Sequence, residues 1–80
     1  YCQFNGRHVT YIQTGGECDF GVMQSAGGAT GVVTAYLLGG SMDATKGTTG
    51  KYITTAYIAP TFSLKEDSKL TITNRINLWE

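Results

Sequence analysis

Chemistry in this chain would have to run through very few side chains. There is one His, His8, and one pair of Cys, Cys2 and Cys18. A Ser- or Cys-based triad needs a general base, so each would have to involve His8. Ser25, Ser41, Ser63 and Ser68 lie in turn-like sequence with no nucleophile-elbow context, and His8 reads as an imidazole on a strand surface. Glu17 and Asp19 flank Cys18, and a strand projects residues two apart to one face. Such a pair could do acid–base work or hold a metal, but two carboxylates at a strand start usually serve only to solubilise it. The run from Lys46 to Lys51 fails as a phosphate loop: Thr45 stands where its first Gly is needed, and Tyr52 where Ser or Thr should follow. Residues 27–31 do not match a dinucleotide fingerprint, and one His with two Cys falls short of a zinc-ligand set. No catalytic set, no metal site and no cofactor are expected.

The elements that would position these groups are strands. Asn5-Gly6 is a hairpin signal, because both residue types accept positive φ; it would turn residues 1–4 back along 7–13. Gly15-Gly16 reads as a second turn, joining 7–13 to 17–24. A small-residue break covers 25–29. Residues 30–38 read as a strand with poor alternation, so that both faces are partly covered. Residues 39–50 carry four Gly and read as a long, mobile loop. Residues 51–59 form a further strand that Pro60 ends, since Pro donates nothing to a ladder. Residues 61–64 make a short edge strand and 65–68 a charged turn. At the C-terminus Leu70, Ile72, Ile76 and Leu78 recur at a step of two, the sign of one buried face. Asn74 interrupts that phase and marks a bulge or a change of sheet. No helical period, linker or sequence repeat stands out.

Eighty residues make one small domain, 1–80, which hides only about 60% of its unfolded-state surface. Eleven Gly, twelve Thr and five Tyr against one Pro favour strands joined by Gly turns. The expected fold is all-β, a small six-stranded antiparallel β-sandwich or small barrel. Six Lys and Arg balance six Asp and Glu, which argues against nucleic acid and anionic membranes as partners. No apolar run approaches the roughly 20 residues that span a bilayer. Tyr1-Cys2 is the beginning of a processed or trimmed chain. In so small a domain the two Cys fit one disulfide, Cys2–Cys18, worth about 3 kcal/mol by loop-closure arithmetic.

What remains is recognition surface. The Tyr residues, Phe20 and Trp79 offer more aromatic area than a core this size readily takes in, and Tyr suits interfaces. Segment 17–24 is the candidate open edge for strand addition, carrying Phe20, Val22 and Met23. With Tyr36 and Trp79 these form the expected partner-binding set.

Cys2, the stretch Phe4-Asn5-Gly6-Arg7-His8 and the run of short strands resemble the MAX effectors, the avirulence and ToxB-like family of small secreted proteins from plant-pathogenic fungi. Cys2 and Cys18 also look like the first two cysteines of the ToxB-like members. Matching residues are confined to roughly the first twenty. The resemblance implies a six-stranded sandwich, no enzyme activity, and secretion with passage into host cells. It further implies binding to host plant proteins in virulence or avirulence, in part through an edge strand. One departure is plain: the family ties its first strand to a Cys late in the chain, and no Cys follows Cys18. Two other readings stand beside this one. One is a carbohydrate-binding, lectin-like module using Tyr and Trp faces with Asn74, Asn77, Asp43 and Gln24 as hydroxyl partners. The other is a self-assembling subunit of a fibre or toxin. The sequence leaves the oligomeric state open.

Overall fold

Val, Ile, Thr and Tyr dominate the segments that become the long strands, because branched and aromatic side chains pack well on a pleated surface. The computed structural model describes residues 8–20, 31–46, 51–68 and 70–79. They form seven strands: β1 (His8–Gln13), β2 (Glu17–Asp19), β3 (Val32–Leu37), β4 (Gly40–Asp43), β5 (Lys51–Ile58), β6 (Phe62–Lys65) and β7 (Leu70–Asn77). Odd strands make a four-stranded sheet in the order β1-β3-β5-β7, and even strands a three-stranded sheet in the order β2-β4-β6. Every described pairing is parallel. The chain runs along one sheet, turns a corner into the other, and returns one level higher. This is a parallel β-solenoid, in which each rung stacks on the one before.

The antiparallel sandwich, and the small barrel offered with it, are therefore overturned. Strand positions were legible; their connections were not. Gly15-Gly16 was read as a two-residue hairpin turn, which needs positive φ at both central residues in its commonest form. Here only Gly16 has positive φ, 80°, and its counterpart Gly40 has 86°. One left-handed residue bends the chain from one sheet to the other without folding it back on itself. The loop expected over 39–50 also contains β4. A Gly-Gly-Ser-Met run has little strand propensity of its own, and it is extended because it pairs with β2 on one side and β6 on the other.

A repeat, invisible at first reading, underlies the stack. Val9-Thr10 lies beneath Val33-Thr34. Thr34-Ala35-Tyr36 lies beneath Thr55-Ala56-Tyr57. Partners are offset by 24 residues from His8 to Val32, 21 from Thr34 to Thr55 and 19 from Thr55 to Asn74. The shrinking offset hides the period.

Between the sheets lies the core: Cys18, Phe20, Val33, Leu37, Met42 and Ile53 are at most 2% exposed. In β3, Val33, Ala35 and Leu37 point inward while Val32 and Tyr36 point out. The alternation there is thus clear, and only the apolar outward residues disguised it. In β5 the burial phase slips at Thr54 and Thr55, between buried Ile53 and buried Ala56. The Thr54 hydroxyl accepts from the Val33 N–H at 3.0 Å, satisfying a backbone donor just outside the β3–β5 ladder. β7 follows the slip, with Asn74 beside Thr55. Leu70 and Ile72 thus pack on the core, whereas Ile76, beside Tyr57, faces outward. Asn74 marks neither a bulge nor a change of sheet: β7 runs unbroken from Leu70 to Asn77 and keeps one offset against β5 throughout. Cys2, and with it the expected bridge to Cys18, lies outside the described residues, so no bridge is described; the same holds for Asn5-Gly6, Val22 and Met23.

Candidate functional site

Parallel stacking turns sequence positions into columns. Partners one rung apart sit about 4.8 Å from each other, the spacing of neighbouring strands. Two outer faces result, and they differ in chemistry.

The outer face of the β2-β4-β6 sheet is charged. Glu17 and Asp19 do share a face, on either side of buried Cys18. Register continues their columns as Glu17–Ser41–Ser63 and Asp19–Asp43–Lys65. Two adjoining open depressions of about 260 and 300 Å³ follow these columns. Much of their charge is already engaged. Lys46 Nζ donates to Asp19 Oδ2 at 3.2 Å. Thr45 donates twice to Asp43 Oδ1, from its hydroxyl at 2.6 Å and its N–H at 2.9 Å. These bonds, with the more distant Lys65 and Lys46 ammonium groups, hold the Asp43 carboxyl below the usual carboxylate range. Asp43 is thereby a fixed anion and a poor proton donor. Among the described residues no group of three or more His, Cys, Asp and Glu is placed to hold a metal ion.

The outer face of the β1-β3-β5-β7 sheet carries no Asp, Glu, Lys or Arg at an outward position among the described residues. Its central column reads Thr10–Thr34–Thr55–Asn74. Beside it runs Ile12–Tyr36–Tyr57–Ile76. On the other flank stand His8 and Val32, then Tyr52 and Thr71. The Thr and Asn side chains make a shallow groove with a polar floor along the stacking axis, walled on one side by Ile12, Tyr36, Tyr57 and Ile76 and on the other only where His8 and Tyr52 rise above it. The two flanks are four residues apart in β1 and β3 and five in β5 and β7, roughly 13 to 17 Å of extended chain. Tyr36 and Tyr57 stack at a centroid distance of 4.9 Å and an interplanar angle of 7°. Each ring therefore spends one face on the other, and its edge and hydroxyl form the wall.

The corner between the sheets fixes this face. Leu38 N–H and Gly39 N–H both donate to Gln13 O, and Ser41 N–H donates to Gly16 O. The Gln13 amide, 6% exposed, donates to Gly16 O and Ser41 O and accepts from the Tyr11 hydroxyl at 2.7 Å. Burial pushes the Tyr11 phenol up from its ordinary value.

Of the residues expected to bind a partner, Phe20 has no exposed surface and fills the core. Val22 and Met23 lie outside the described residues. Tyr36 is on the uncharged groove, and Trp79 is half-exposed just beyond β7, so the two are the members of that set on the described surface. Among the described residues β2, Glu17–Asp19, is an edge strand of its sheet; residues 21–24 of the segment expected as an open edge lie outside them. Local composition does not mark the Thr column. Its signal was Thr-Ala-Tyr occurring twice, at 34–36 and 55–57. No protein-family model matches the chain, and neither does any curated protein or solved structure compared with it.

Proposed function

We propose that this chain is a carbohydrate-binding module that grips its ligand in the groove on the β1-β3-β5-β7 face and does not transform it. One observation carries the reading: four strands in register present an uncharged floor of Thr10, Thr34, Thr55 and Asn74 along an aromatic and aliphatic wall of Ile12, Tyr36, Tyr57 and Ile76. Hydroxyl and amide groups can exchange hydrogen bonds with sugar hydroxyls, and the walls can cover the C–H surfaces of the rings. The Tyr rings do so with their edges, since Tyr36 and Tyr57 lie against each other. Thr34 is the position to test, because it lies mid-floor and its replacement leaves the core untouched. Thr34→Lys should retain the far-ultraviolet circular dichroism of the parent and lose at least about tenfold in affinity for any sugar the parent binds. A glycan array on which the parent retains no sugar removes the proposal.

The edge position of β2 favours a second reading, a secreted effector that adds a host plant protein's strand to its sheet. That strand has only three residues, Glu17–Asp19, and offers a short ladder. Pull-down from plant extract with parent and Cys18-adjacent edge variants, such as Asp19→Pro, tests it. Capture of one host protein that Asp19→Pro abolishes supports it, and equal capture by both rejects it.

A further inference from the structure

The groove has a direction and a charge, and both constrain what it takes. All four floor residues lie on a line along the stacking axis, three rung spacings or roughly 14 Å from end to end. A compact monosaccharide would meet one or two rungs; an extended chain lying along the axis would meet all four. Among the described residues no Asp, Glu, Lys or Arg stands at an outward position on this face, although the sequence carries six cations and six anions. Described ion pairs lie on the opposite sheet, as in Lys46–Asp19, and on the inner column of β7, where Arg75 pairs with Glu66. An anionic chain placed here would leave water without gaining a cation, which is unfavourable. A second copy of this chain is a poor occupant. Four strands by about six residues span roughly 19 by 20 Å, near 400 Å², about half of the ~800 Å² per partner in a stable complex.

We infer that the groove selects an uncharged, unbranched polysaccharide bound lengthwise, reading several consecutive sugars at once. The inference rests on the carbohydrate-binding reading and goes further by naming the ligand's charge, its shape and its axis. Affinity then grows with chain length until the groove is full, and it does not depend on salt, because no ion pair forms.

Calorimetric titration with a length series from glucose to cellohexaose, a parallel series of manno-oligosaccharides, and oligogalacturonate as the charged counterpart tests this. At least one neutral series should tighten about tenfold or more between its disaccharide and tetrasaccharide and then level off. Its affinity should be equal at low and high salt, and oligogalacturonate should not compete. Thr34→Lys should abolish the binding, while Ser41→Lys, on the opposite sheet, should leave it intact. A monosaccharide that binds as tightly as the tetrasaccharide overturns the lengthwise groove while leaving a carbohydrate-binding module. Preference for oligogalacturonate, or loss of affinity with salt, overturns the neutral ligand in the same way. Loss of binding in Ser41→Lys alone moves the site to the charged face. Sedimentation showing a dimer that Thr34→Lys dissociates gives the face to a second copy and overturns the inference. A neutral series that shows no binding at all, beside sugar hits elsewhere on an array, overturns it as well, whereas silence across every sugar takes the underlying reading with it.

Discussion

The middle rungs and the end rungs of the stack obey different rules. Inner columns can be followed through the register: Tyr11–Ala35–Ala56–Arg75 and Gln13–Leu37–Ile58–Asn77. In the two middle rungs these positions are Ala35, Ala56, Leu37 and Ile58, all buried. In the two outer rungs they are polar or amphipathic. Tyr11 hydrogen-bonds Gln13, Gln13 reaches the corner carbonyls, Arg75 pairs with Glu66, and Asn77 is exposed. A rung covered on both sides is apolar inside or gives its polar group a partner, as at fully buried Lys51, because an unpartnered polar group there would be stranded away from water. A rung covered on one side can satisfy its polar groups at the rim. Gln13 is buried all the same, its amide held by Gly16, Ser41 and Tyr11, whereas Arg75 and Asn77 are exposed.

The sharpest way to break this comparison is to cut the same column in both places. Leu37 has no exposed surface, and Leu37→Ala leaves a cavity enclosed by neighbouring rungs. It should cost roughly 3–4 kcal/mol. Asn77→Ala, at the outer end of the column, should cost about 0.5 kcal/mol or less, as is usual at surface positions. Urea denaturation of the two variants checks this. Equal losses would mean that β7 is as enclosed as β3, and the distinction between middle and end would fail.

The corners offer a second cut of smaller size. Gly16 and Gly40 both have positive φ, yet their surroundings differ. A Cβ on Gly16 would meet nothing within 4 Å, whereas one on Gly40 would fall 2.2 Å from the carbonyl oxygen of Gly16 itself. Gly16→Ala should cost about 1 kcal/mol, the penalty for a left-handed L-residue. Gly40→Ala adds a collision with backbone that cannot swing aside, and should cost about 2–3 kcal/mol in all. Thermal midpoints measured side by side decide the matter. A Gly16→Ala variant at least as damaged as Gly40→Ala would show that strain in φ, and not the stacked corner, governs these positions.

The same corners explain how far the sequence could be read. Strand positions followed from local composition: 51–59 was expected where β5 runs Lys51–Ile58, and 61–64 where β6 runs Phe62–Lys65. Local residues could not say whether Gly15-Gly16 reverses the chain or merely bends it, because both outcomes use glycine and differ only in how many residues take positive φ. That choice decides between antiparallel neighbours and a stack. The evidence to resolve it was non-local. Gly15-Gly16 returns as Gly39-Gly40, Asp19 as Asp43, and Thr34-Ala35-Tyr36 as Thr55-Ala56-Tyr57. A search for repeats would have met them, had the offsets been equal. The groove was out of reach for the same reason. Thr10, Thr34 and Thr55 are unremarkable among twelve Thr until the register lines them up. β4 could not be inferred either, since its extension comes from two neighbouring strands and not from its residues.

The smallest expected effect separates two aspartates in one column. Asp19 lies on the edge strand β2 and reaches across to Lys46, with both side chains well exposed. Asp43 lies on the middle strand β4 and accepts two hydrogen bonds from Thr45. An exposed ion pair contributes little. The Thr45 bonds, by contrast, favour the ionised form of Asp43 and lower its pKa in the folded state. A carboxyl lowered on folding stabilises the native state above its unfolded-state pKa, near 4. That contribution is lost as the pH falls through the lower, folded-state value. Asp43→Asn should therefore reduce the urea midpoint at neutral pH more than Asp19→Asn does, and the gap should narrow as the pH falls below about 4 toward the lower, folded-state value. Were the two variants to track each other at every pH, Asp43 would be no better held than its partner at the edge, and the contrast between the two strands would not extend to the charged face.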